Sequence, residues 1–252
     1  MADQLEDLED SWQWTRSHLP GVLERHAPGH SVDLSHLLLT GGSAGGYCVM
    51  QLALSHPNDI SAVAAAYPFL DPKDDLIVKG PTAEEPTILR FPREDIPSKE
   101  AVVAWIKETR KTVASRAELE RPPFAVGAAQ YGIFYSEIFD NRNLNQPEFL
   151  PIERIKACAN LPKKMYVEND SNQQRLNYAD ISRWILHGDD DTVVHIRASH
   201  KFVDLVREKL PDTTIRFDIA PGEDHAFDLV KASWELHAIG AMEFVRQSWL
   251  GD

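Results

Sequence analysis

Leu37-Leu38-Leu39-Thr40-Gly41-Gly42-Ser43-Ala44-Gly45-Gly46 is an apolar run that breaks into glycine around a single serine. Gly41 to Gly45 fit the pattern G-x-S-x-G, in which the serine occupies a sharp turn from a strand into a helix and its hydroxyl stands clear of the backbone. Side chains at the flanks of such a turn are expected to collide with the backbone, which accounts for glycine on both sides. The surroundings agree with the pattern. Ser35 to Thr40 reads as a buried strand, and Ala44 to Ser55 reads as a helix that the His56-Pro57 step helps to end. Ser43 is therefore the first candidate nucleophile.

Outward from this elbow, further strands are predicted at Ile60 to Tyr67, at Trp184 to Leu186 ahead of His187-Gly188, and at the alternating Ile215, Phe217 and Ile219. Phe202, Val206 and Leu210 share one helical face, as do Leu236, Ile239, Met242 and Val245. Leu5, Leu8, Trp12 and Leu19 give the chain an amphipathic opening helix that is expected to pack on the sheet. Strands and helices thus alternate, which implies an α/β fold with a parallel sheet and right-handed crossovers. The alternation lapses between Pro68 and about Tyr166, a proline- and charge-rich section with a predicted helix at Ser98 to Arg116. This section reads as a cap insertion over about residues 71–160. Its Trp105, Phe124, Tyr131, Phe134, Tyr135 and Phe139 suit either a pocket mouth or a small satellite core.

The 252 residues, 43% of them hydrophobic, are enough for one domain with a sizeable core. A formal charge of -13 without any basic cluster argues against nucleic acid or an anionic membrane as the main partner. Cys48 and Cys158 provide no disulfide framework, and no secretion signal or membrane-spanning stretch is evident, so a cytoplasmic setting is expected.

A serine nucleophile needs a base, and the base needs an acid to hold its tautomer. The third strand is followed by His187-Gly188-Asp189-Asp190-Asp191, and the fourth by Pro221-Gly222-Glu223-Asp224-His225. Functional groups collect at the C-terminal ends of strands in such sheets, and these stand in the order Ser, Asp, His. An aspartate triplet is otherwise a solvated turn, and His195, His200 and His237 read as structural. Metal binding by His187, Asp189, Asp191 and His195 has plausible residue types but lacks a second ligand cluster.

In these signatures the chain resembles the α/β-hydrolase superfamily, and Gly41-Gly42-Ser43-Ala44-Gly45-Gly46 is most similar to the hormone-sensitive-lipase-like carboxylesterases. The resemblance implies an α/β-hydrolase fold, a parallel sheet flanked by helices under a helical cap. It also implies Ser43 as nucleophile, His225 as general base and Asp191 as the orienting acid, with Asp190 as the fallback. The Ala44 N–H would be an oxyanion-hole donor. The expected chemistry is cleavage of a small-molecule carboxylic ester without metal or organic cofactor.

The chain departs from that family in three ways. Gly42 stands where an aspartate is usual. None of the forty-two residues before Ser43 forms the His-Gly-Gly-Gly loop that supplies the other oxyanion donors, so the N-terminal strands are expected to be missing. Met165 to Arg183 reads as an insertion. Codons for Met165-Tyr166-Val167 and Ala179 to Arg183 can carry the borders and branch site of a short intron, while the polar Glu168 to Gln174 also fits a surface loop. Two alternatives accompany the esterase reading: an impaired or ligand-binding relic of the fold, and a hydrolase of small-molecule biosynthesis.

Overall fold

Four apolar runs, Leu38–Gly42 (β1), Ala62–Ala66 (β2), Ser182–Gly188 (β3) and Ile215–Ala220 (β4), pair in that order in one parallel sheet. These and the elements below come from a computed structural model that describes residues 2–109, 121–139, 141–158 and 181–251. In register, Ala64 stands opposite Thr40 on one side and Trp184 on the other, and Ile185 stands opposite Phe217. The period of two divides each strand between two cores. Val63, Ala65 and Ile185 face one, while Ala64, Trp184 and Leu186 face the other.

The helices are Ala2–Ser17 (α1), Leu19–His26 (α2), Ala44–Ser55 (α3), Asp75–Lys79 (α4), Lys99–Thr109 (α5), Arg121–Gln130 (α6), Pro151–Cys158 (α7), Ile196–Lys209 (α8), Lys231–His237 (α9) and Ile239–Leu250 (α10). The first core is closed by α3, α7 and α8 through Met50, Ala53, Ile155, Phe202 and Val206, and the second by α10 through Ala241 and Val245. A parallel sheet covered on both faces explains why β2 and β3 read as continuous apolar runs.

Several expectations need correction. β1 is half-buried rather than buried, because among the described residues it pairs only with β2 and forms an edge of the sheet. The opening helix packs on α3, not on the sheet, since α3 already covers β1 and β2 there. Its buried Trp12 stacks on His56 with ring centroids 4.7 Å apart, and Glu9 Oε2 lies 2.7 Å from His56 Nε2. Leu19 falls in α2. The predicted face of Leu236, Ile239, Met242 and Val245 is not one face. The helix breaks at Ala238 between α9 and α10, so Ala238, Ala241 and Val245 are buried while Leu236 is 74% and Ile239 54% exposed.

The cap section splits in two. Val102, Ile106, Ala128 and Ile133 form a satellite core, with Trp105, Phe124 and Tyr131 against it and the Trp105 and Phe124 rings stacked 4.9 Å apart. Phe134–Ile138 form a π-helical turn that points toward the sheet's C-terminal end, as the pocket described below requires. The helix expected over Ser98 to Arg116 is α5, and residues 110–116 lie outside the described residues. Of the insertion read at Met165 to Arg183, residues 165–180 also lie outside them. Ile181 is buried, and Ser182 and Arg183 open β3 opposite Ala62 and Val63. Among the described residues no helix is long and apolar enough to cross a membrane.

Phe202 is fully buried at the junction of α8 with the sheet. Phe202→Ala is expected to lower the unfolding free energy by about 3–5 kcal/mol, read from urea denaturation. A loss below about 1 kcal/mol would show that α8 is not part of the main cooperative core.

Candidate active site

β1 delivers Ser43 to the sheet's C-terminal end, and the first turn of α3 carries the chain away from it. Ser43 has φ 54° and ψ -121°, a conformation disfavoured for a residue with a Cβ and held by the surroundings. Its N–H donates to Ala66 O at 3.0 Å, and its carbonyl accepts from Tyr47 and Phe69 N–H, each at 3.1 Å. The need for glycine is uneven. A Cβ on Gly41 would lie 2.6 Å from the Gly45 backbone, and one on Gly46 would lie 2.7 Å from Pro68 Cβ. Gly45 itself has open space around it, so only the first of the two G-x-S-x-G glycines answers to crowding.

Asp191 and His225 come from the loops after β3 and β4. His225 Nε2 lies 2.9 Å from Ser43 Oγ, and His225 Nδ1 lies 2.8 Å from Asp191 Oδ2. With its proton on Nδ1 facing the carboxylate, the imidazole presents an acceptor at Nε2 to the serine hydroxyl. Asp191 is buried, and its Oδ1 accepts from the N–H groups of Val193 and Val194, each at 2.8 Å. Burial works to raise its pKa, but hydrogen bonds from His187 and His225, the His225 charge and the Val194 N–H outweigh that. The Asp191 carboxyl is held well below the usual carboxylate range.

Two supports were not legible as such. Buried His187, the histidine of the His-Gly pair, has Nε2 2.8 Å from Val194 O and 3.3 Å from Asp191 Oδ2, with Nδ1 2.8 Å from Ser199 Oγ. It fixes the acid loop from beneath. Asp224 accepts from Thr192 N–H at 2.8 Å and from His225 N–H at 2.7 Å, so it ties the acid loop to the histidine loop. Gly188 allows this closeness, since a Cβ there would lie 2.1 Å from Glu223 O. The only signal for Asp224 in the sequence is its place beside His225.

The remaining candidates go elsewhere. Asp190, the fallback acid, is exposed and paired with Arg90, and Asp189 accepts from Gly222 N–H at 2.6 Å. His195 lies 3.7 Å from Asp74, His200 stands edge-on to Phe217, and His237 lies 3.3 Å from Glu223. Among the described residues no group of three or more His, Cys, Asp or Glu side chains is placed to hold a metal ion.

Beside Ser43 and Ala44 lies a cavity of about 240 Å³ with a mainly apolar lining that includes Phe69, Ile77, Phe134, Tyr135, Phe139 and Val194. Of the six cap aromatics, Tyr135 and Phe139 line the pocket, Trp105, Phe124 and Tyr131 pack against the satellite core, and Phe134 does both. Cys48 also lines it, and burial pushes its thiol pKa up. Ala44 is the first residue of α3, so its N–H has no acceptor within the helix and faces the end where the helix dipole is positive.

No protein-family model matches the chain. It is 24% identical over 253 residues to a probable carboxylesterase M8 of Phoma sp. (strain ATCC 20986 / MF5453), covering 98% of this chain and 70% of that protein. It is likewise 24% identical over 195 residues to a probable carboxylesterase clz11 of Cochliobolus lunatus, covering 77% of this chain and 78% of that one. Among solved structures, a Staphylococcus aureus subsp. aureus Mu50 protein of unknown function superposes with a TM-score of 0.59 at 14% identity, over 95% of this chain and 70% of that one. The chain spans 57% of an S-formylglutathione hydrolase from Agrobacterium tumefaciens, with a TM-score of 0.47 and 10% identity. The chain thus has the helix-flanked parallel sheet of an α/β-hydrolase fold and is similar in sequence to two probable carboxylesterases.

Proposed function

We propose that the chain hydrolyses a carboxylic ester of a small molecule through an acyl-enzyme at Ser43. The observation that carries this reading is the unbroken line of contacts from Ser43 Oγ to His225 to Asp191, 2.9 and 2.8 Å long, at the mouth of an apolar cavity. Serine is unreactive at its own pKa, so a base at hydrogen-bond distance is the minimum that the chemistry requires. As Ser43 Oγ bonds to the ester carbonyl carbon, His225 Nε2 takes its proton. The imidazolium that forms faces the Asp191 carboxylate.

The carbonyl oxygen becomes an oxyanion near the N-terminus of α3, where the Ala44 N–H is free to donate. Collapse of that intermediate breaks the bond to the alcohol oxygen, which leaves with the proton from His225 Nε2. Water then attacks the acyl carbon, giving its proton to His225, and Ser43 leaves with that proton to restore the starting state. Each step balances without a metal or redox partner. The apolar cavity suits the acyl part, since a 150 Å³ apolar cavity in another protein is enough for benzene.

Purified protein is expected to release nitrophenol from short acyl esters, and Ser43→Ala to lower that rate by about a thousandfold or more. A fluorophosphonate probe should label the wild type at Ser43. Equal turnover by the two proteins would remove the mechanism, and ligand binding without labelling would favour a non-catalytic binding role.

The cavity makes a separate prediction about selectivity. Phe134→Ala is expected to raise KM for a benzoyl ester by about tenfold while leaving an acetyl ester nearly unaffected, because burial of a ring against Phe134 is worth about 1–2 kcal/mol. Equal effects on both esters would place the acyl group elsewhere.

Asp191 sets a stability signature. Its folded-state pKa lies below the unfolded value, so its ionised form adds stability that is fully present above about pH 4 and is lost as pH falls lower. The gap in urea midpoint between wild type and Asp191→Asn should therefore be widest near neutrality and narrow on acidification below about pH 4. A gap independent of pH would mean that the carboxylate charge is not what stabilises the loop.

A further inference from the structure

Tyr67 follows β2 directly and carries a positive φ of 37°, unusual for an aromatic residue. Its N–H donates to Leu186 O at 2.6 Å, and its phenol donates to Asp228 Oδ1. Its ring is buried, 4.5 Å from the imidazole of His225 between centroids, and 5.8 Å from Phe227 in an edge-on contact. The same ring lies against the backbone of Gly42. A Cβ built on Gly42 would come within 3.1 Å of Tyr67 Cε2 and 3.2 Å of its phenol oxygen.

These contacts belong together. Gly42 immediately precedes the nucleophile, Tyr67 extends the neighbouring strand, and Asp228 lies three residues beyond the base. Absence of a side chain at position 42 lets an aromatic ring reach under the imidazole, and the Asp228 carboxylate stops that ring from swinging away. Burial and the Asp228 carboxylate push the Tyr67 phenol pKa up, so the phenol remains a donor throughout the working pH range.

We infer that Tyr67, fastened by Asp228 in the space that Gly42 leaves open, is a positioning residue that holds the His225 imidazole on the line between Asp191 and Ser43. The inference rests on His225 acting as the base, as proposed above. A ring against the imidazole restricts its rotation about the Cα–Cβ and Cβ–Cγ bonds. It also presents a π-face or edge to the cation formed during acylation. The effect belongs to kcat, because neither Tyr67 nor Asp228 lines the acyl cavity.

The test is a set of variants assayed with a nitrophenyl ester and with a fluorophosphonate. Tyr67→Leu is expected to lower kcat by about tenfold to a hundredfold with KM changed less than about twofold, since small misplacement of a reacting group costs on that order. Tyr67→Phe keeps the ring but loses its bond to Asp228, so its kcat should fall between those of Tyr67→Leu and wild type. Gly42→Ala, which presses a methyl group on the ring, should lower kcat by several-fold with KM unchanged.

Circular dichroism and urea midpoints establish that each variant is folded. Should Tyr67→Leu fail to fold, Gly42→Ala decides, and wild-type kcat in that protein overturns the inference. A folded Tyr67→Leu with wild-type kcat and labelling rate overturns it equally, as does equal loss in Tyr67→Leu and Tyr67→Phe. Wild-type protein that the fluorophosphonate does not label at Ser43 defeats the esterase proposal and the Tyr67 inference with it. Labelled wild type with unaffected variants defeats only the latter.

Discussion

Ser43 is held in a backbone conformation that its own Cβ opposes, and the arrangement of the site depends on keeping it there. The cost of such a residue is about 1–3 kcal/mol, and it persists only where neighbours over-determine it. Here they do so from both sides. The N–H is fixed to β2 through Ala66, while the carbonyl is fixed to α3 through Tyr47 and to the chain after β2 through Phe69. Close approach of Gly41 to Gly45 and of Gly46 to Pro68 removes the room into which the turn could relax. The apolar packing that seats α3 on β1 and β2 therefore also aims the serine hydroxyl, and a rigid scaffold rather than a loop determines where it points.

His225 and Asp191 depend on a different device, a seam between two loops. Asp224 joins Thr192 to His225, Gly188 lets the two loops touch, and His187 reaches Asp191 and Val194 from within the core. Asp191 thus has hydrogen bonds on both oxygens, which favour the ionised form of a buried carboxylate that has no arginine or lysine partner among the described residues. Asp189 and Asp190, on the same turn, remain outside the core and bond to Gly222 and Arg90. Three adjacent carboxylates consequently have distinct surroundings, decided by which one the turn directs inward.

Much of this was legible from local pattern. β2, β3 and α3 are continuous apolar or helical runs whose periodicity survives packing, and the Ser, Asp and His signatures each follow a strand. What was not legible depended on contacts between distant segments. Trp12 was visible as an apolar helix position, but its burial against α3 depends on that helix already covering the sheet. Leu236, Ile239 and Met242 match a helical repeat, yet a break at Ala238 rotates them toward solvent. The six cap aromatics are alike in sequence, and the π-helical turn at Phe134–Ile138 brings Phe134 to the junction of the satellite core with the pocket beside Ser43 and Tyr135 into the pocket. Gly42 looked like a missing aspartate and is a space filled by Tyr67 from another strand.

The turn at Leu89 and Arg90 is bonded to the loops that carry Asp191 and His225. Leu89 and Arg90 both have positive φ, 55° and 51°, a strained pair of residues that no glycine relieves. The pair is held by the acid and histidine loops themselves: Leu89 N–H donates to Thr192 Oγ1 at 2.9 Å, and Arg90 reaches Asp190 and, at 3.3 Å, Asp224. Val193, one of the two residues whose N–H groups hold Asp191, packs with Leu76, Ile88 and Val126 and also lines the cavity beside Ser43. A ligand that fills the cavity therefore presses on the residue two beyond Asp191, and displacement of the turn at Leu89 and Arg90 would take one partner each from Thr192 and Asp224, which keep their bonds to one another. The strained turn at Leu89 and Arg90 thus bonds to Thr192 and Asp224, the residues that also join the Asp191 and His225 loops, so the position of that turn and the placement of Asp191 and His225 depend on shared residues.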